Sequence, residues 1–243
     1  MYLSNGIDQA RTLIIVPAYN EEESIGHTLR KLLSIKKNLP SIDICVINDG
    51  SKDQTAQVVR QFEDVVLIDL PYNLGIGGAV QTGYKYAYKM GYDVAVQFDA
   101  DGQHNEADLI AVIQPIVNGE TDMCIGSRFV QKTDYKGSIF RRIGIYYFEL
   151  LLFLLTGKKY TDATSGYRAI NKKVIELFAR EYPKDYPEPE VILFLHRKNF
   201  RIKEISVHMK QRQGGSSSIT PFRSIYYMLK VTLSILMQKL IKE

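Results

Sequence analysis

Short apolar runs and stretches with helical spacing alternate along the first half of the chain. Residues 11–17, Arg-Thr-Leu-Ile-Ile-Val-Pro, are almost continuously apolar, the pattern of a strand covered on both faces. Asn20 then stands three residues before Glu23, a capping-box spacing, and residues 24–33 continue at helical spacing. Residues 42–47 predict a second strand, 54–62 a helix and 65–70 a third strand. The glycine-rich run 73–79 opens a helix through residue 90, and 92–97 predicts a fourth strand. Asn105 is placed to cap the next helix, and 122–126 predicts a fifth strand. This alternation predicts an α/β fold, a doubly wound and mostly parallel sheet with ligands at the carboxyl ends of its strands. Pro17 to Glu21, Asp49, Gly75 and the pair Asp99/Asp101 all fall at those ends.

Beyond Arg128 the rhythm changes. Residues 143–155 are almost wholly apolar, broken by Gly144 and Glu149 and flanked by Arg141-Arg142 and Lys158-Lys159. As a helix they span roughly 20 Å at about 1.5 Å each, short of a bilayer core. Two readings stand: a buried core helix, or a helix in a membrane interface with Tyr146, Tyr147 and Phe148 at headgroup level. A polar turn, 162–168, follows, and Glu188 and Glu190 sit in a proline-punctuated turn before a short apolar helix, 191–195. Residues 200–207 alternate like a strand, and 212–218 form a flexible basic loop able to fold over an anion through Gly214 and Gly215. The tail, 219–243, repeats apolar residues at helical spacing with Arg223, Lys230, Ser234 and Gln238 off the stripe, an amphipathic helix. It is long enough to cross a bilayer, but Lys230 near its midpoint favours lying on the surface. The same stripe would also fit the domain itself, or a second copy of the chain in a homo-oligomer.

Charge sharpens this division. The 243 residues carry a net charge of +4, yet residues 1–129 hold 10 Lys and Arg against 17 Asp and Glu, and residues 130–243 hold 21 against 10. An acidic half holding a cation and a basic half facing an anion follow from that split. No groove-reading motif accompanies the basic half, which argues against nucleic acid and for phosphorylated substrate or acidic lipid headgroups. Cys45 and Cys124 lie in apolar runs as buried free thiols, and no N-terminal signal is visible, so a cytoplasmic location is expected.

The chemistry concentrates in Phe98-Asp-Ala-Asp-Gly-Gln-His104. Residues two apart on a strand share a face, so Asp99 and Asp101 would present two carboxylates where strand gives way to loop. Gly102 lets the backbone turn, and Gln103 adds a neutral oxygen. Three hard donors suit Mg²⁺ or Mn²⁺, with waters and substrate phosphates completing the shell. A solvated acidic turn or a helix cap explains a bare D-x-D as well.

The ordered set around it is more specific. Val16-Pro-Ala-Tyr-Asn-Glu-Glu22, Asn48-Asp-Gly-Ser51, the 98–104 motif, Gly126-Ser-Arg128, Asp162-x-x-Ser-Gly-Tyr-Arg168 and Arg212-x-x-Gly-x-Ser217 together resemble glycosyltransferase family 2 over about residues 12–218. These are inverting enzymes of the GT-A fold that use nucleotide sugars, and the chain looks most like the dolichyl- or polyprenyl-phosphate sugar synthases. The resemblance implies a nucleotide-sugar half, 1–130, an acceptor half, 131–218, and the tail helix, 219–243. It implies that Pro17, Ala18, Tyr19, Glu21 and Asp49 lie against base and ribose, with Gly75 at the same rim. Asp99 would face the nucleotide sugar and metal, Asp101 and Gln103 would ligate the ion, and Arg128, Arg168 and Arg212 would meet donor or acceptor phosphates. Asp162 and Glu190 would lie near the acceptor, with Ser217 in the acceptor loop. UDP-sugars are favoured over GDP-sugars by the family's habit. Two departures stand out: Ser218 follows Ser217 where the lipid-phosphate enzymes usually carry Lys, and many relatives continue into transmembrane helices where this sequence stops at Glu243.

Breaking the bond from sugar C1 to a diphosphate requires charge on the leaving oxygens to be stabilised, which a divalent ion and Arg can do. A phosphate acceptor is already anionic and needs no base. A hydroxyl on a lipid-linked or surface glycan needs a carboxylate, and Asp162 or Glu190 is the candidate. A nucleotidyltransferase would share sheet, carboxylates and metal, but here the first strand leads into acidic Asn-Glu-Glu-Glu where a triphosphate favours a glycine-rich basic loop. A non-catalytic sugar-nucleotide-binding module at the membrane surface would not need to keep Asp99, Asp101 and Gln103 together.

Overall fold

The computed structural model describes residues 6–131, 139–183, 187–209 and 228–235. Strands β1 (Thr12–Ala18), β2 (Ile42–Asn48), β3 (Val65–Asp69), β4 (Val94–Gln97), β5 (Met123–Ser127), β6 (Arg168–Asn171) and β7 (Ile202–Ser206) form one sheet in the order β3-β2-β1-β4-β6-β5-β7. All pairings are parallel except those of β6, which runs antiparallel to β4 and β5. Helices α1 (Ile25–Lys36), α2 (Thr55–Val59), α3 (Gly75–Met90), α4 (Leu109–Val117), α5 (Ile139–Thr156), α6 (Lys172–Arg180) and α7 (Pro187–Arg197) cover it. The α/β reading therefore holds, and all seven residues of β1 are buried, as its unbroken apolar run requires.

Alternation along the strands assigns two cores. Leu13 and Ile15 of β1 join Val80 and Tyr84 of α3, Phe148 and Leu152 of α5 and Phe178 of α6 on one face. Ile14 and Val16 join Leu29 of α1 and Val112 of α4 on the other. A helical stretch, 228–235, adds Val231 and Ile235 to the first core. The described members of the tail stripe, Leu229 and Leu233, stay exposed, and Val231 and Ile235, which lie off the stripe, pack on the domain instead.

Several local expectations need correction. The capping box at Asn20 does not form: α1 starts five residues later, and Asn20 has a left-handed backbone at φ 55°. Its side chain instead accepts from Lys52 N at 2.8 Å, fastening one loop to the next. Asn105 precedes a 3₁₀ turn, Glu106–Asp108, and its side chain makes no cap hydrogen bond. Helix α2 is five residues long, shorter than 54–62, because the chain turns through Phe62 into β3. Glu188 and Glu190 lie inside the first turn of α7, which begins at Pro187, a residue preorganised for a first turn. Neither β6 nor α6 follows from the sequence pattern: β6 is four residues with Arg168 at its head, easily taken for the end of a turn. Asn171 then caps α6 by accepting from Val174 N at 3.1 Å.

Helix α3 crosses β1 closely enough that a Cβ on Gly83 would overlap Ile15 Cγ2. Overpacking of this kind costs about 1–3 kcal/mol. Gly83→Ala should lower the urea midpoint accordingly; an unchanged midpoint would show that the two elements are not in such close contact.

Candidate active site

The carboxyl ends of β1, β2 and β4 form one rim, with Ala18 paired to Asn48. The loops leaving β1 and β2 are stitched together. Asn20 N donates to Ser51 Oγ at 2.9 Å, Glu21 N to Thr55 Oγ1 at 2.9 Å and Glu22 N to Asp53 Oδ2 at 3.1 Å, while Glu22 Oε2 accepts from Gln54 N at 2.8 Å. Pro17 and Ala18 are buried in β1, Glu21 is half-buried with its Oε2 accepting from Ser24 Oγ, and Tyr19 is exposed at the rim. Asp49 is buried and accepts from Leu74 N at 2.7 Å and Gly75 N at 3.0 Å, so it pins the glycine turn that opens α3. Burial raises the Asp49 pKa, and those two N–H groups only partly offset the rise.

β4 ends at Gln97, so Asp99 and Asp101 lie in the turn beyond it and the two-residue rule for strand faces does not apply to them. The turn is held from within. Gly102 takes φ 73°, Asp101 Oδ1 accepts from Gln103 N at 3.0 Å, and His104 folds back on Asp99. His104 Nδ1 accepts the Asp99 N–H at 3.0 Å, which leaves the ring proton on Nε2, 3.3 Å from Asp99 Oδ2. Burial pushes His104 down to about 4, with Asp101 opposing and Arg128 adding to the fall, so the ring is neutral near pH 7. It stacks on Tyr167 at 4.6 Å and meets the edge of Phe98. Gly166 closes in from the other side: a Cβ there would lie 2.9 Å from Gln97 Nε2 and 3.0 Å from Asp99 Oδ2. Asp99, Asp101 and Gln103 are half-exposed hard oxygen donors on one turn, a chemistry that suits a divalent cation, and Gly166 leaves room beside Asp99; among the described residues no three His, Cys, Asp or Glu side chains converge to hold one.

The residues expected near the acceptor are more enclosed. Arg128 and Asp162 are both buried, and Arg128 Nε and Nη2 each donate to the carboxylate at 2.6 Å. Arg128 N also donates to Asp162 at 3.1 Å, and Glu204 of β7 holds the turn by accepting from Thr161 N and Asp162 N. Arg168 is buried, with Nε donating to Ser165 O and Nη2 to Ala163 O; Nη1 has no hydrogen-bond partner among the described residues. Burial pushes the half-buried Glu188 carboxyl up, the Arg168 guanidinium pulls it back, and the charges of Asp99 and Glu190 add to the rise. These four residues therefore share one neighbourhood. Glu190 is buried and accepts from Ser234 Oγ of the 228–235 helix at 2.6 Å.

Residues 13–178 match Glycosyl transferase family 2. The chain belongs to that family. It is 34% identical to the UDP-N-acetylglucosamine–dolichyl-phosphate N-acetylglucosaminyltransferase of Methanococcus voltae, over 90% of this chain and 95% of that protein. It is 30% identical to the undecaprenyl-phosphate mannosyltransferase of Micrococcus luteus, over 86% and 88%. Among solved structures, glucosyl-3-phosphoglycerate synthase from Mycobacterium tuberculosis, crystallised with Mn²⁺, UDP and phosphoglyceric acid, superposes with a TM-score of 0.71 at 15% identity, covering 94% of this chain and 78% of that one. That likeness shows the GT-A fold.

In this family 2 glycosyltransferase the expected rim residues Tyr19, Glu21, Asp49, Gly75, Asp99, Asp101 and Gln103 do gather at the strand ends. Arg212 and Ser217 lie outside the described residues. Asp162 does not present itself as a proton acceptor: it is fully buried and both oxygens are taken up by Arg128. His104, Gly166 and Glu204 stand out only in the structure. His104 lies within the motif, but nothing in its spacing shows that its ring returns to Asp99.

A buried ion pair is costly to leave half-made. Asp162→Ala should lose about 3–5 kcal/mol in urea unfolding, and Arg128→Met with Asp162→Leu should recover most of it. Wild-type stability in the single variant would contradict a buried pair.

Proposed function

We propose that this enzyme transfers a sugar from a nucleotide sugar, with a UDP-sugar preferred, to a polyprenyl phosphate, with inversion at C1 and with a divalent cation. The single observation that carries the acceptor is Arg168: a buried guanidinium whose Nη1 has no hydrogen-bond partner among the described residues, and whose charge acts on the same Glu188 carboxyl as that of Asp99, suits an anion arriving at the rim. The lipid-phosphate substrates in the names of both relatives above support the same acceptor. The Mn²⁺ and UDP crystallised with the similar synthase support the metal and the uridine nucleotide.

In this reading Tyr19, Glu21 and the loops stitched at Ser51 and Thr55 shape the nucleotide cleft, and Asp49 sets its floor by holding Gly75. Asp99, Asp101 and Gln103 hold the cation, Mg²⁺ or Mn²⁺, which when bound stabilises charge on the diphosphate leaving group. His104 and Gly166 fix the Asp99 carboxylate in place. Arg168, with Arg212 and Ser217, orients the acceptor phosphate for attack on C1 from the face opposite the diphosphate. Arg128 adds positive charge, and Asp162 keeps it in place rather than taking a proton. A phosphate nucleophile needs no general base, which agrees with the enclosure of Asp162 and with Glu190 engaged by Ser234. The lipid acceptor would hold the enzyme peripherally at the cytoplasmic face of the membrane. Among the described residues no helix is long and apolar enough to cross one.

Two measurements test this. Asp101→Ala should reduce transfer by about 10²-fold or more and weaken Mn²⁺ binding read by electron paramagnetic resonance, at unchanged thermal stability. Wild-type turnover of this variant in EDTA would remove the metal from the account. Glu190→Gln and Glu188→Gln should each keep turnover within about tenfold when polyprenyl phosphate is the acceptor. A drop of about 10²-fold or more in either, with nucleotide affinity intact, would favour a hydroxyl acceptor instead.

A further inference from the structure

Helix α5 is apolar on two opposite sides, and the fold uses only one. Ile145, Phe148 and Leu152 are buried in the core shared with Val231 and Ile235. On the other side Ile143, Tyr146, Tyr147, Leu150, Phe153 and Leu154 recur at helical spacing and remain exposed, Tyr146 by 66% and Leu154 by 71%. A helix apolar all round belongs in an apolar medium on both sides. The 228–235 helix extends the surface: Tyr147 Oη and Thr232 Oγ1 are 2.7 Å apart, and Leu229 and Leu233 are exposed by 68% and 61%. Eight of the fifteen exposed large hydrophobic residues among those described sit on these two touching helices, so this is a contiguous patch and not ordinary scatter.

We infer that this two-helix face is the surface on which the enzyme docks to an anionic lipid bilayer. Charge selects the occupant. Exposed Arg142 stands at one end of the α5 face and exposed Lys158 and Lys159 at the other, and Glu149, the one acid between them, is already bound by Lys159 Nζ at 3.0 Å. A second copy packed antiparallel across a twofold axis would bring basic end against basic end, with Glu149 already engaged by Lys159. Acidic headgroups supply the missing anions along both ends, while Leu150, Phe153, Leu154, Leu229 and Leu233 enter the acyl boundary and the tyrosines stay at headgroup depth. The same face borders the acceptor side, because Ser234 donates to Glu190 in the first turn of α7. The inference deepens the lipid-acceptor reading and rests on it for the choice of partner; vesicles without polyprenyl phosphate test the surface separately from the chemistry.

The chain has no Trp, so Phe153→Trp provides a single reporter on the face. With vesicles of phosphatidylcholine and phosphatidylglycerol its emission should shift to the blue and be quenched by brominated acyl chains. Vesicle co-sedimentation should fall about tenfold or more in Leu150→Gln/Phe153→Gln/Leu154→Gln, and fall with added salt for the wild type, while the triple variant keeps the wild-type melting temperature and UDP affinity. No vesicle binding, binding that the triple variant retains, or unshifted Trp emission would overturn the inference. So would a dimer by analytical ultracentrifugation that the triple variant dissolves, which would assign the face to a second copy. Docking without sugar transfer to any polyprenyl phosphate would leave this surface standing and count against the proposed reaction alone.

Discussion

β6 enters the sheet antiparallel between β4 and β5, with Arg168 opposite Gln97 on one side and Ile125 on the other. Most of the candidate site depends on that register. It brings Gly166 against the Asp99 carboxylate, lays Tyr167 on His104, and starts the strand just after the turn that carries Asp162 to Arg128. A one-residue slip would turn Arg168 to the other face of the sheet and break all three relations together. The mostly parallel strands supply the rim; this one reversed strand joins the Asp99 turn to the buried Arg128–Asp162 pair.

The two sides are built by different physics. On the donor side, polar loop residues satisfy one another's backbone: Asn20 and Glu22 reach the neighbouring loop, and Asp49 reaches the start of α3. Such loops can be rigid without hydrophobic burial, leaving Tyr19 and the Asp99–Asp101 turn toward solvent. On the acceptor side, charges are buried and must be paired or left waiting. Arg128 has Asp162 as its counter-ion, whereas Arg168 leans on backbone carbonyls and its buried Nη1 has no hydrogen-bond partner among the described residues. Asp162 is a candidate base from sequence; in the structure it is buried with both oxygens committed to Arg128.

Much of the donor half was legible because its signals are local. The apolar run of β1, the glycines opening α3 and the acidic turn after β4 each announce themselves within a few residues. The acceptor half was less so, because its decisive relations are distant in sequence: Gly166 with Asp99, Glu204 with Thr161, Ser234 with Glu190. Periodicity could show that α5 is apolar but could not divide its stripe into a side that packs and a side that does not. The tail behaved likewise, since Leu229 and Val231 are both apolar and only packing separates exposed from buried.

In the proposed reaction the anionic group that meets sugar C1 is a lipid phosphate, and the linkage in the product distinguishes it from a hydroxyl acceptor. Incubation with UDP-sugar, Mn²⁺ and a short polyprenyl phosphate should give a lipid whose mass rises by one hexose or N-acetylhexosamine residue, with the sugar released by mild acid as expected of a glycosyl phosphate. Its anomeric proton should report the configuration opposite to the donor's. A product resistant to mild acid, or one formed only when a hydroxyl acceptor replaces the phosphate, would contradict the account.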